Sequence, residues 1–171
     1  MKKLIMALLI GCFLFLGAKW LYVLFKTQPN QQLDNIIITY LENKFNSSSD
    51  ESSRVFVAFD GYGYTRNGST IKAYGTYESR EFILSGNRVK SGAISDVPLV
   101  ISIESTKNGY KVVRCEEVRD GSYFETDIER MFPWWCRSKT YDGTYSRQAR
   151  ALCDKRIKAY YKKVLTKNSG K

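Results

Sequence analysis

The sequence contains no histidine among its 171 residues, and this absence excludes whole classes of enzyme. Without an imidazole there is no Ser-His-Asp or Cys-His nucleophile, no His-ligated zinc hydrolase and no histidine pH switch. The Gly61-Tyr62-Gly63 turn lacks the third glycine and the following helix of a dinucleotide-binding loop, and no Asp-Gly pair continues into a calcium loop. The sequence therefore predicts no cofactor, no metal site and no specific catalytic residue.

Acidic residues are scarce in the last part of the chain. Residues 146–171 hold nine basic residues and one acid, whereas residues 27–145 hold fourteen basic and sixteen acidic residues. The net charge of +10 therefore comes from the C-terminal segment and from four lysines near the N-terminus, while the body is slightly acidic. A polyanionic partner is expected only of the C-terminal segment.

Charged residues are almost missing from the first part of the chain, where residues 4–25 are apolar apart from Lys19. A helix of that length spans about 33 Å, enough to cross a hydrocarbon core of about 30 Å. Cleavage after Ala18 would need a small residue at Leu16, so we expect residues 1–26 to be an uncleaved signal anchor. The protein is then a single-pass protein of the cell membrane with a cytoplasmic N-terminus. The alternative is a domain secreted after cleavage.

A change of apolar period marks the elements that follow. Leu33, Ile37, Leu41 and Phe45 recur at helical spacing, which predicts a helix close to the membrane. Segments of alternating apolar residues then predict strands: 55–59, 69–84, 97–103 and 110–118. Clusters of Gly, Asn and Ser predict the turns between or within them: 67–68, 85–87, 90–92 and 107–109.

Two more helices are expected after the strands. Ser122-Tyr123-Phe124-Glu125 has the form of a capping box, and Pro133 ends the short helix that follows. A last helix from about Ser146 places Ala149, Cys153 and Ile157 on one face. This order predicts an α+β fold in which helices cover one face of a curved antiparallel sheet. We divide the chain into the signal anchor (1–26), an α+β extracytoplasmic domain (27–145) and a basic C-terminal helix and tail (146–171).

Three cysteines lie beyond the membrane segment. An exported domain meets an oxidising environment, so a disulfide between Cys136 and Cys153 is the candidate pairing. Closing a loop of that size would stabilise the fold by about 3 kcal/mol. Cys115 lies inside an apolar strand pattern and is interpreted as a small buried side chain.

The densest acidic cluster is Glu116-Glu117 with Asp120, the residues that would carry paired-carboxylate chemistry such as glycoside hydrolysis. Neighbouring strand residues point to opposite faces, so Glu116 and Glu117 cannot act together without a bulge. Solvated carboxylates at the end of a strand are the favoured interpretation.

Aromatic side chains are the candidates for binding a ligand or a protein partner in the open mouth of such a sheet: Trp134, Trp135, Tyr62, Tyr64, Tyr74 and Tyr77. The competing interpretation places most of the tyrosines in the core. The candidates for contact with anionic lipid headgroups or a cell-wall polymer are in the last helix: Arg147, Arg150, Lys155, Arg156, Lys158, Lys162 and Lys163. The alternative is a solvated helix face, and nucleic acid is disfavoured outside the cytoplasm.

One pattern in the middle third of the chain resembles a known group of proteins. Asp120-Gly121-Ser122-Tyr123-Phe124 is followed by Ile128 and by Phe132-Pro133, after a hairpin ending in Cys115-Glu116-Glu117. This resembles uncharacterised membrane-anchored extracytoplasmic proteins of Gram-positive bacteria with an NTF2-like or cystatin-like domain. The resemblance implies a cone-shaped sheet wrapped on a long helix, and it implies no catalytic residues.

The leading hypothesis is therefore a membrane-anchored extracytoplasmic binding or interaction module without enzymatic activity. One alternative is a cell-envelope hydrolase that uses only carboxylates. A second alternative, by analogy of fold alone, is a scaffold subunit of a membrane or secretion complex.

Overall fold

The computed structural model describes residues 30–47, 53–85 and 88–168, with the side chains of all but residues 84–85, 88–89, 144–146 and 163–168. The elements follow in this order: α1 (Gln31–Asn46), β1 (Ser53–Asn67), β2 (Thr70–Ser85), β3 (Arg88–Thr106), β4 (Gly109–Glu117), a 3-10 turn (Gly121–Tyr123), α2 (Phe124–Met131), a second 3-10 turn (Arg137–Tyr141) and α3 (Gly143–Asn168). The four strands form one curved antiparallel sheet in chain order. The α+β prediction is confirmed.

The predicted signal anchor lies outside the described residues, as do residues 48–52 of the polar linker and residues 86–87 of the turn predicted at 85–87. None of the helices in the described part of the chain is long and apolar enough to cross a membrane.

Glycines set two of the turns. Gly68 and Gly109 have φ values of +59° and +123°, in the left-handed region that favours glycine, and they connect β1 to β2 and β3 to β4. The turns predicted at 67–68 and 107–109 are confirmed. The turn predicted at 90–92 is wrong, because these residues lie inside β3 beside a register shift against β2. Gly92 there makes room for the Glu81 carboxylate, which would lie 2.5 Å from an added Cβ.

The first face of the sheet is covered by α1. Leu33, Ile37 and Leu41 are buried, as the helical spacing predicted, and Phe45 packs at the margin of the same cluster. The sheet supplies the other buried members of this cluster: Val57, Phe59, Ile71, Ala73, Tyr77, Leu99, Ile101 and Ile103. The Asn30 side chain caps α1 by accepting a hydrogen bond from the Leu33 N–H at 3.1 Å.

The opposite face is covered by α2 and α3, so the helices cover both faces of the sheet rather than one. Ile128 and Phe132 from the α2 region pack with Tyr62, Tyr74 and Val100 of the sheet. Neighbouring residues in β3 divide between the faces: Leu99 belongs to the α1 side and Val100 to the α2 side. The expectation of one covered face was wrong because the strands carry apolar side chains in both directions.

The long helix α3 packs on the same face through a separate cluster. Ala149, Cys153 and Ile157 are buried against Phe56 and Ala58 of β1. Beside this cluster the Glu78 carboxylate is fully buried and bound by Arg80 at 2.5 Å and Arg150 at 3.0 Å. A buried charge is tolerated only when it is paired, so this arrangement fixes α3 on the sheet.

The helix boundaries differ slightly from those predicted. The helix α2 begins at Phe124 after a 3-10 turn, so Ser122 does not occupy its N-cap position and the capping-box prediction is wrong. It ends at Met131, before Pro133, as expected. The helix α3 begins at Gly143, three residues earlier than predicted, and its N-terminal residues line a cavity described below.

Side chains from α1 and α3 protect the edge strand β1. Asn46 hydrogen-bonds both the N–H and the C=O of Val55, each at 2.9 Å. The edge-facing backbone groups of Val57 are bound in the same way. Glu42 accepts from the Val57 N–H at 3.1 Å, and Arg156 donates to the Val57 C=O at 2.8 Å. Unpaired backbone N–H and C=O groups of an edge strand can pair with a strand of another chain, and these contacts prevent such pairing along the first part of β1.

Candidate functional site

The acidic residues considered for catalysis do not form a catalytic pair. Glu117 lies on the α1 side, with its carboxylate 2.8 Å from the Lys44 amine. Glu116 points to the other face and is bound by Arg114 at 2.9 Å and Arg130 at 3.4 Å. The opposite orientation of the two glutamates was predicted from strand alternation and is found, and Asp120 is a solvent-exposed residue before the first 3-10 turn. Each glutamate is paired with cations instead of with another acid.

The tyrosine candidates are divided between the two faces by a β-bulge. The register of β1 against β2 shifts between Gly61 and Gly63, and Tyr62 is the extra residue. An extra residue reverses the alternation of the strand, so Tyr62 faces the α2 side while Tyr64 faces α1. These tyrosines therefore do not form one site.

The other two tyrosines are core residues. Tyr77 is buried on the α1 side, where its ring lies 5.7 Å from that of Phe45. Tyr74 is buried on the other face and makes an edge-to-face contact with Trp135 at 5.7 Å. Of the two candidate tryptophans, Trp134 is 63% exposed and Trp135 is partly buried. The structure therefore brings Tyr62, Tyr74 and Trp135 together in a core cluster and leaves Trp134 at the surface.

The candidate disulfide is not present in the structure. All three cysteines of the described residues are free, and Cys136 and Cys153 lie in different core clusters. The Cys136 thiol approaches the Pro133 carbonyl at 3.5 Å, and the Cys153 thiol approaches the Phe56 carbonyl at 3.6 Å. Burial raises the pKa of both thiols to about 12. The pairing prediction failed because α2 and α3 cover separate parts of the sheet.

The basic residues of α3 belong to two groups. Arg150 and Arg156 point toward the sheet and bind carboxylates, Arg150 on Glu78 and Arg156 on Glu42 at 2.8 Å. These two candidates are structural. The others with described side chains are exposed and form what we call the cationic stripe: Arg147, Lys155, Lys158 and Lys162. The side chain of Lys163 lies outside the described part of the helix.

The cationic stripe is a narrow feature of the helix surface. At about 100° per residue, its four members fall within an arc of about 80°. Cys153 and Ile157, which are buried against the sheet, lie on the opposite side of the helix. The stripe therefore faces away from the protein over a length of about 22 Å.

A carboxylate pair at the bulge was missed by the sequence analysis. Burial raises the pKa of Asp60 to about 6, and the neighbouring Asp34 contributes to this rise while Lys139 opposes it. The Asp60 Oδ2 atom is buried and has no hydrogen-bond partner. Asp34 accepts a hydrogen bond from the Tyr64 hydroxyl, and burial raises its pKa as well. The glycines at positions 61 and 63 were the only local signal of an irregular strand here.

A cavity of about 200 Å³ opens on the α2 side of the sheet, at the N-terminus of α3. We call it the Tyr62 cavity. The sheet contributes four of its lining residues: Tyr62, Thr76, Asp96 and Pro98. The segments around the helices contribute the rest: Phe124, Thr140, Tyr141, Asp142 and Gly143. The Phe124 and Tyr141 rings meet edge to face at 5.7 Å, and Tyr141 is 58% exposed at the rim.

The Tyr62 cavity is partly open to solvent and has the size of a small ligand. Among the described residues, no three acids or cysteines lie close enough together to hold a metal ion. Comparison with known proteins adds no further assignment: no family model, no curated protein and no solved structure matches this chain.

Proposed function

We propose that this chain is a membrane-anchored extracytoplasmic binding module that holds an anionic polymer of the cell envelope along the cationic stripe. The observation that carries the proposal is the stripe itself, because its four cations are exposed along one side of α3. The signal anchor and the NTF2-like or cystatin-like resemblance are parts of the same proposal.

Charge distribution supports a polyanionic partner. The described cations that stabilise the fold are matched with acids, as in the contacts of Lys44, Arg80 and Arg150. The exposed cations of α3 follow one line with Asp154 as the only acid of the C-terminal segment, and Asp154 is turned toward Arg80 at 2.5 Å. A row of like charges raises the local concentration of a polyanion and is sensitive to salt.

The direction of the helices favours a polymer over lipid headgroups. The N-terminal end of α1 lies near Tyr64, whose hydroxyl binds Asp34, and its C-terminal end lies near Val55, which binds Asn46. The helix α3 runs the same way, from Arg150 beside the middle of the sheet to Tyr160, whose ring lies 4.6 Å from the Arg54 guanidinium. An anchor that precedes α1 would therefore leave the stripe leading away from the membrane.

Retention on immobilised inorganic polyphosphate tests this function. The full chain in neutral detergent should bind, and binding should weaken as salt rises because the contacts are screened. Replacing the stripe by glutamine (R147Q, K155Q, K158Q and K162Q) should lower the affinity about a hundredfold, since each cation near an anionic surface contributes about 1 kcal/mol before screening. The matched control removes four exposed lysines elsewhere: K72Q, K90Q, K107Q and K111Q.

Vesicle sedimentation separates the two anionic surfaces. Vesicles with and without anionic lipid should capture the full chain equally through its anchor. If the stripe variant kept its polyphosphate binding, or if the control variant lost as much affinity, the proposal would be wrong. Stronger capture by anionic than by neutral vesicles that disappears in the stripe variant, with unchanged polyphosphate binding, would assign the stripe to lipid headgroups and also overturn the proposal.

A further inference from the structure

We infer that the Tyr62 cavity is a binding site for a small organic cation, such as a quaternary or primary ammonium group. The site is separate from the cationic stripe, shares no residue with it, and goes beyond the proposed function. The inference is carried by the chemical character of the lining, which offers aromatic surface and carboxylates.

Three hydroxyl groups of the lining are already engaged in hydrogen bonds. The Tyr62 hydroxyl is hydrogen-bonded to Thr76, and the Thr76 hydroxyl donates to the Asp96 carboxylate at 2.8 Å. The Thr140 hydroxyl donates to the Arg137 carbonyl at 2.6 Å. What these groups leave for a ligand is acceptor capacity, because an ionised carboxylate has about four acceptor positions and Thr76 uses one of them.

The negative charge of the cavity comes from two carboxylates in its lining. Asp96 and Asp142 both line the cavity, and no lysine or arginine is among the lining residues. Arg150 interacts electrostatically with Asp96, but its Nε is bound to the buried Glu78. The chain of hydrogen bonds from Tyr62 through Thr76 holds the Asp96 carboxylate in place at the wall.

The aromatic walls suit a cation that is poorly hydrated. The Tyr141 and Phe124 rings meet at an angle of 73°, so they form a corner beside the two carboxylates. Aromatic faces attract a cation within about 6 Å, and carboxylates add Coulombic attraction. A cavity of about 200 Å³ is smaller than most drug-sized pockets, so the ligand must be small.

Titration of the isotope-labelled full chain in neutral detergent, followed by NMR, tests the inference. The probe is tetramethylammonium, and tert-butanol is its neutral counterpart of similar shape. Tetramethylammonium should shift the amide signals of Thr76, Asp96 and Tyr141 in a saturable way, and tert-butanol should not. The D96N variant keeps an oxygen for Thr76 but removes the charge, and it should bind about tenfold more weakly.

The control variant is E104Q, which removes an exposed carboxylate from the same strand. Glu104 lies eight residues from Asp96, about 26 Å along β3, and its replacement should leave the affinity unchanged. Equal binding of tert-butanol, an unchanged affinity in D96N, or no saturable shifts at the cavity would each overturn the inference. Shifts caused by glucose but not by tetramethylammonium would assign the cavity to a neutral sugar and overturn it too. Loss of polyphosphate binding in the stripe variant has no bearing on this result.

Discussion

Among the described residues, Asp60 carries a buried side-chain oxygen that lacks a hydrogen-bond partner. This atom is Oδ2, and the carboxylate of Asp34 lies near enough to raise the pKa of Asp60. The bulge that directs Tyr62 to one face and Tyr64 to the other follows directly after it. Strand bulges and buried polar atoms without hydrogen-bond partners often occur at functional sites. Asp60, however, does not line either of the two described pockets.

The Asp60→Asn variant should be more stable than the wild type at neutral pH. The pKa of Asp60 is raised from 3.8 to about 6, so the ionised carboxylate destabilises the folded state above that pH. A rise of this size corresponds to at most about 3 kcal/mol, and solvent around a half-buried side chain reduces it to about 1 kcal/mol. Urea unfolding at a series of pH values measures the difference.

The sign of the pH dependence distinguishes this account from a general surface effect. As the pH falls from about 6 to about 4, Asp60 becomes protonated in the folded state, and the advantage of the variant should disappear. Asp120→Asn removes an exposed acid and should change the free energy of unfolding by less than about 0.5 kcal/mol. A D60N variant that is less stable than the wild type at neutral pH would contradict the assignment.

At the scale of the elements, the sheet depends on a close approach between its first two strands. Gly75 pairs with Gly61 beside the bulge. A Cβ at Gly75 would lie 2.5 Å from the Asp60 carbonyl oxygen and from the Phe59 ring, both of which are held by the core. Only glycine fits this position without moving the strand.

Gly75→Ala should therefore lower the free energy of unfolding by about 2 kcal/mol, because the added methyl group must displace the backbone or a buried ring. Thermal or urea unfolding measures the change. Gly143→Ala is the matched control, since no atom lies within 4 Å of an added Cβ at the start of α3. If the two variants were equally stable, the tight contact at Gly75 would be wrong.

Elements formed by local interactions could be predicted from the sequence. The spacing of Leu33, Ile37 and Leu41 is a property of one helix, and Asn-Gly turns need only the two residues at their tips. Gly92 shows the limit of such reasoning. It was interpreted as a turn, but a glycine in a strand is also used where a neighbouring side chain, here Glu81, comes close.

At the scale of the whole molecule, the three cysteines of the described residues show how well the core clusters exclude solvent. Burial raises the pKa of Cys115 to about 11 and those of Cys136 and Cys153 to about 12. A thiol must ionise to react, so these groups are protected both by their protonation and by the packing around them.

Cys136 and Cys153 should therefore resist iodoacetamide in the native protein at about pH 8 and react in concentrated urea. Peptide mapping by mass spectrometry without reduction measures both the labelling and any cross-link. Cys115 is only partly buried and serves as the internal comparison, because it should react faster than the other two. A peptide joining Cys136 to Cys153 in the native protein would contradict the separation of the two clusters.

The sequence alone was sufficient for the α+β class, the first and last helices, two hairpin turns and the opposite orientation of Glu116 and Glu117. All of these depend on the local periods of helix and strand. The residues that line the Tyr62 cavity could not be predicted from local sequence patterns. Tyr62, Thr76, Asp96 and Tyr141 come from distant parts of the chain, and their meeting depends on how α2 and α3 are placed on the sheet.

Only the tertiary structure decided which basic residues of α3 stabilise the fold and which face outward. Helical periodicity separates Arg150 and Arg156 from the cationic stripe only when the position of Glu78 and Glu42 is known. The bulge at Tyr62 had the same effect on the tyrosines, since one extra residue redirects every side chain that follows. Ion pairs and strand register are long-range properties, and they determined which surfaces remained available for binding.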